Sequence, residues 1–145
     1  IKNIEITLRK YNSLEIAIEL KKRFKNINFG LGSILSRKDY EIGSNEGFCF
    51  FVSPGIILDL VNTKVKNYIP GGETISEFMF LLNNDYQIIK FFPSNLSGSK
   101  NKLISIESIL KHAMFIPTGG INLNNYMDFL SLKNVLCVGM SKFDE

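Results

Sequence analysis

In residues 3–9, NIEITLR, apolar and polar side chains take turns. Ile4, Ile6 and Leu8 share one face, and Glu5, Thr7 and Arg9 share the other. That period predicts a strand with one apolar face. The spacing becomes helical over residues 14–24, with Asn12 and Glu15 at the separation of a capping box. The two patterns keep alternating. INFGLGS predicts a second strand, with a short polar helix after Ser36. FCFFVSPG predicts a third, stopped by Pro54 and Gly55, with IILDLVNTK as a short helix behind it. NYIPGG is a brief strand ending in another Pro-Gly, and TISEFMFLL a helix with Thr74 and Glu77 in capping-box register. QIIKFF, AMFIPTGG and VLCVG complete the strands, separated by the helices KLISIESILKH and NNYMDFLSL.

Strand starts recur at the spacing of βα units in a parallel arrangement. Most of the strands end in loops rich in Gly, Pro or Ser: GLGS, SPG, IPGG, FPSNLSGS, PTGG and GMS. In parallel α/β folds these C-terminal strand ends carry the ligands. Seven such units predict a (β/α)8 TIM barrel rather than an open sheet, as one domain over residues 1–145. They also predict that the first βα unit and the last helix of that barrel lie outside this sequence.

Composition narrows the classes. The 145 residues carry a net charge of +3, and the lysines are scattered without interleaved aromatics, which argues against a nucleic-acid face. The most apolar run, near Phe48 to Val52, is far too short to cross a bilayer, and no charged-then-apolar leader pattern is visible in the opening residues, so no signal peptide is expected. Cys49 and Cys137 have no C-x-x-C partner and are expected to be buried small hydrophobes in a reducing compartment. His112 stands alone beside Lys111, where a helix is expected to end, as a solvated cation favoured by the helix dipole. No metal site is expected.

The most telling chemistry is Lys90, set between Ile89 and Phe91 in an apolar strand. An ammonium there is costly unless it sits at an edge or its chemistry needs dryness. Ile88, Lys90 and Phe92 share a strand face, and in a closed barrel Glu5, Thr7 and Arg9 point inward as well. A dry lysine near an arginine is driven toward the neutral amine that attacks carbonyls, with Glu5 available to move protons. A buried Lys90–Glu5 ion pair is the competing reading of the same residues, and it would shift the lysine the other way. Gly-rich loops on the last two units, Pro117–Gly120 and Val138–Ser141, suit a phosphate.

With IEITLR, GLGSIL, SPG, IPGGETISE, IKFFPSNLSG, PTGGI and NVLCVGMS in order, the chain resembles the bacterial KDPG/KHG aldolases over essentially its whole length. The resemblance implies a class I aldolase on a (β/α)8 barrel, cytoplasmic, usually homotrimeric, and working without metal or cofactor. Its substrates would be small 2-keto acids. Lys90 would form the Schiff base and Glu5 would act as acid/base through water. Arg9 and Ser33 would hold the pyruvate carboxylate, Pro54 and Phe92 would shape the pocket wall, and Thr118 would line it. Gly119, Gly120 and Ser141 would receive the phosphate. Ser33 stands where the family commonly has Thr, which keeps the hydroxyl. Met140 replaces the second glycine of GGS and is expected to crowd the phosphate cradle. SGS at Ser97–Ser99 replaces a small residue followed by Gly-Gly. The alternative is a relative that binds such ligands without turning them over.

Overall fold

The computed structural model describes residues 2–141. The chain divides into two units, Ile1–Ile69 and Pro70–Glu145.

The first unit holds β1 (Asn3–Thr7), α1 (Ser13–Arg23), β2 (Asn28–Gly32), α2 (Arg37–Asn45), β3 (Phe50–Val52), α3 (Leu58–Asn62) and β4 (Tyr68–Ile69). Its strands form one parallel sheet in the order β1-β2-β3-β4. Strand β2 shows why the sheet has two different faces. Phe29 and Leu31 are buried on one side, while Gly30 and Gly32 occupy the other. Gly43 of α2 lies so close that a Cβ there would stand 2.5 Å from Leu31 Cδ1 and 2.7 Å from Phe51 Cε1. The Leu31 face is therefore the helix face. Ala17 of α1, Leu60 and Val61 of α3, and the Tyr40 ring edge-on to Phe51 at 4.7 Å complete this core. Fully burying one such large apolar side chain contributes about 1.5–3 kcal/mol.

Helix α2 starts as its sequence dictates. The Ser36 hydroxyl accepts from Asp39 N–H, and the Asp39 carboxylate accepts from the Ser36 N–H. Arg37 then donates to Asp59 of α3 at 2.5 Å and to the Thr63 hydroxyl, tying α2 to α3. The guanidinium holds the Asp59 carboxyl below the usual carboxylate range. Helix α1 departs from expectation. Asn12 sits at its N-terminus with φ −100° and ψ 16° and makes no side-chain cap; instead the Ser13 hydroxyl accepts from Lys10 N–H at 3.0 Å. The near-helical backbone at Asn12 lacks the extended geometry that aims a capping side chain at the first turn.

The second unit holds β5 (Gly71–Gly72), α4 (Ile75–Asn83), β6 (Ile88–Phe91), α5 (Ser99–Ile106), β7 (Met114–Pro117) and α6 (Tyr126–Leu130). Its parallel sheet runs β5-β6-β7. Phe78 of α4 packs edge-on against Phe115 of β7 at 4.9 Å and Phe91 of β6 at 6.1 Å, with all three rings fully buried.

Two strand expectations change. The predicted strand in NYIPGG is two strands, because Pro70 has no N–H to give a ladder. Tyr68–Ile69 pairs with β3, and Gly71–Gly72 pairs with β6. VLCVG forms no continuous strand among the described residues: it meets β7 through the isolated parallel bridges Phe115↔Val135 and Thr118↔Gly139.

The Thr74–Glu77 capping box of α4 is present as expected. Partial burial pushes the Glu77 carboxyl up. Hydrogen bonds from the Thr74 hydroxyl and from the Glu73 and Thr74 N–H groups, with Lys102 nearby, outweigh that and hold it below the usual range. A carboxyl lowered on folding stabilises the protein above the unfolded carboxylate pKa, and that contribution fades as pH falls through the folded value. Thr74→Ala is expected to cost about 1 kcal/mol at neutral pH. In urea melts the gap from wild type should shrink at acid pH, and a gap that widens there would contradict this account.

Candidate active site

Lys90 is 2 % exposed and lies on the central strand of its sheet, between β5 and β7. Its N–H donates to Pro70 O at 2.9 Å, and its register partners are Gly71 and Ile116. The strand explains the burial: Ile89, Lys90 and Phe91 are buried in succession, as in a strand covered on both faces. The amine stands 5.1 Å from the centre of the Phe92 ring. That ring also packs on the next loop, lying 3.5 Å from where a Gly119 Cβ would stand.

The loop after β7 is bound to the end of β6. Thr118 N–H donates to Phe91 O at 2.9 Å, Ser94 N–H to Thr118 O at 2.8 Å, and Asn95 N–H to Gly119 O at 3.2 Å. Gly119 and Gly120 follow one another at φ 95° and 74°, a left-handed pair that side-chain-bearing residues rarely adopt. A Cβ on Gly120 would also stand 2.5 Å from Asn95 Cβ. Lys90, Phe92, Thr118, Gly119 and Gly120 thus gather at one strand end. Ser141 is exposed, two residues beyond Gly139, whose missing Cβ leaves room for the Thr118 side chain. Ser99, in the SGS departure, has φ 50° directly after Gly98 at φ 91°, which gives the physical reason a glycine is usual there.

In the first unit, Glu5 pairs in register with Gly30 and Thr7 with Gly32, so Glu5 lies on the glycine face, opposite the helices. Gly32 is what lets it stay. A Cβ there would fall on the Glu5 carboxylate, with Cγ only 2.6 Å away. Ser33, immediately after, is left-handed at φ 57°, and its hydroxyl accepts from Arg9 Nε at 3.1 Å. Non-glycine residues held there cluster at ligand sites. Val52 is the register partner of Gly32, and its carbonyl accepts from Ile34 N–H, so the loop carrying Pro54 leaves β3 beside Ser33. Arg9 and Ser33 are joined, the Glu5 carboxylate lies against Gly32 just before Ser33, and Pro54 follows two residues past the end of β3.

Gly32 was not singled out from the sequence, although the doubled glycine of GLG at alternate positions is a signal that something bulky covers that face. Asn95 was missed too, and only the fold lays it on Gly120. An open cavity of about 300 Å³ in the second unit is lined by Glu107, Lys111, Met114, Lys133 and Asn134 among others. It opens at the N-terminal end of β7, away from the loops that carry chemistry in such folds.

Both cysteines depart from expectation. Cys49 and Cys137 are exposed free thiols. Around Cys49 the buried positions go to Phe48 and Phe51, and around Cys137 to Asn134 and Val135. Neighbouring atoms still desolvate the Cys137 thiol enough to push it up. His112 is exposed six residues past the end of α5 at Ile106, not in its last turn.

Parallel βα units with their distinctive residues at the strand ends define a TIM-barrel-like α/β protein. The family model for KDPG and KHG aldolase matches residues 1–145, and the chain belongs to that family. It is 31% identical to the 2-dehydro-3-deoxy-phosphogluconate aldolase of Pseudomonas aeruginosa, covering 94% of this chain and 63% of that protein. Against the KHG/KDPG aldolase of Escherichia coli it is 32% identical, covering 95% of this chain and 66% of the other. The chain thus spans about two thirds of the length of these curated relatives. Among solved structures, the KDPG aldolase of Legionella pneumophila, with pyruvate captured as a covalent carbinolamine, superposes with a TM-score of 0.91 at 33% identity. That match covers 96% of this chain and 69% of the other. The Zymomonas mobilis enzyme with 3-phosphoglycerate gives 0.88 at 31% identity, over 96% and 68%.

Proposed function

We propose that the protein carrying this chain is a class I aldolase that cleaves 2-keto-3-deoxy-6-phosphogluconate, 4-hydroxy-2-oxoglutarate or both. The observation that carries the reading is Lys90, an amine 2 % exposed at the C-terminal end of a central strand with an aromatic ring beside it. Dry surroundings are what let a lysine present the neutral amine that such chemistry needs. The captured pyruvate of the Legionella relative and the bound phosphoglycerate of the Zymomonas relative support the two halves of the substrate.

Lys90 Nζ adds to the C2 ketone, giving a carbinolamine that loses water to an imine. The protonated imine draws electrons from C3 as a base takes the C4 hydroxyl proton and C3–C4 breaks. The aldehyde leaves, as glyceraldehyde 3-phosphate or glyoxylate. The enamine is protonated at C3, and water releases pyruvate and the free lysine. Glu5, acting through water, is assigned the proton transfers. Arg9 and Ser33, already joined, are assigned the pyruvate carboxylate. Phe92 and Pro54 are assigned the wall of the pocket, Thr118 its lining, and Gly119, Gly120 and Ser141 the phosphate. Left-handed glycines present N–H groups to an anion without side chains in the way. Met140 beside that loop weighs toward the unphosphorylated substrate. The enzyme is taken to be a metal-free cytoplasmic homotrimer, as the family resemblance implies; the two free thiols accord with a reducing compartment.

The test is pyruvate release from each substrate by the full-length protein, followed by reduction of the pyruvate formed. Turnover of at least one substrate is expected, and none on either would remove the reading.

A further inference from the structure

Ser53 is fully buried, Tyr68 is 6 % exposed, and neither enters the chemistry above. Their hydroxyls are 2.7 Å apart. Ser53 Oγ also donates to Gly55 O, and the Tyr68 oxygen accepts from Ile57 N–H at 3.2 Å. A serine hydroxyl has one proton. With that proton on Gly55 O, the bond between the hydroxyls runs from Tyr68 O–H to Ser53 Oγ, so the chain of three bonds has one direction. Its ends grip the same loop, one through the carbonyl just after Pro54 and the other through Ile57 N–H. Ser53 N–H is itself fixed to Ile69 O at 3.2 Å, next to Tyr68 on β4. In the interior such bonds are costly to break singly, because the remaining group is left unpaired.

We propose that Tyr68 and Ser53 are positioning residues that lock the Ser53–Ile57 loop, and with it Pro54, beside the Arg9–Ser33 pair, so setting affinity for the keto acid. The proposal rests on the aldolase reading, and the test separates the two. Wild type, Tyr68→Phe, Ser53→Ala and the double variant are incubated with increasing pyruvate, reduced with borohydride and scored for labelling of Lys90. Tyr68→Phe removes one oxygen and leaves the ring. It is expected to raise the half-saturating pyruvate concentration by roughly three- to tenfold, with the labelling rate at saturation little changed. Ser53→Ala should do the same. Because both cut one chain, the double variant should be no worse than about either single one. Thermal melts run in parallel. A lowered melting temperature with an unchanged half-saturation concentration would make the pair merely structural and overturn the proposal. So would additive effects in the double variant. Absence of Lys90 labelling in wild type would overturn the aldolase reading, and this inference with it.

Discussion

Replacing Lys90 with Met is expected to abolish turnover, lowering it by several orders of magnitude, and to abolish trapping of pyruvate by borohydride. Methionine keeps an unbranched side chain of similar length in a site that is already almost dry, so the β5-β6-β7 sheet and the Phe78, Phe91 and Phe115 cluster should remain. What disappears is the amine. Circular dichroism separates loss of chemistry from loss of fold. Folded Lys90→Met that still cleaves substrate would show that another group attacks the ketone. The same variant tests the alternative of a binding relative: there, ligand binding would persist and wild type would have no turnover to lose.

The second large effect comes from a residue with no side chain. Gly32→Ala would place a methyl group where the Glu5 carboxylate lies, and the neighbouring sheet leaves Glu5 little choice but to swing away. If Glu5 moves the protons, kcat should fall by about 10²- to 10⁴-fold, the usual worth of a positioned acid or base. Glu5→Gln keeps the shape, removes the proton chemistry and should give a loss of the same order. Pyruvate should still mark Lys90 in both variants. Wild-type kcat in a folded Glu5→Gln variant would contradict the assignment of Glu5.

What could be read in the sequence follows from what is local. The parity of NIEITLR placed Glu5 on the face opposite the helices, because a strand's period is fixed by its own backbone. The cap at Thr74 was visible because it is complete within four residues. Lys90 was visible because a cation amid apolar neighbours violates a local rule, and such violations tend to mark function. The Asn12 box is equally local and still fails, on its near-helical backbone; the other failures are set by which residues meet across the fold. The split at Pro70 depends on which distant strand each half meets. The outward turn of Cys49 depends on Phe48 and Phe51 taking the buried positions. The Tyr68–Ser53 hydrogen bond joins a residue of β4 to the residue just past β3, and neither looks unusual in its own segment.

The proposed cleavage turns on a covalent bond between the Lys90 amine and a keto acid. The most direct measurement is borohydride reduction of the full-length protein in the presence of pyruvate, followed by peptide mapping by mass spectrometry. A single reduced adduct on the peptide containing IIKFF, fragmenting to place it on Lys90, is the predicted result. A protein that carries no adduct, or carries it on a different lysine, would contradict the mechanism at its first step.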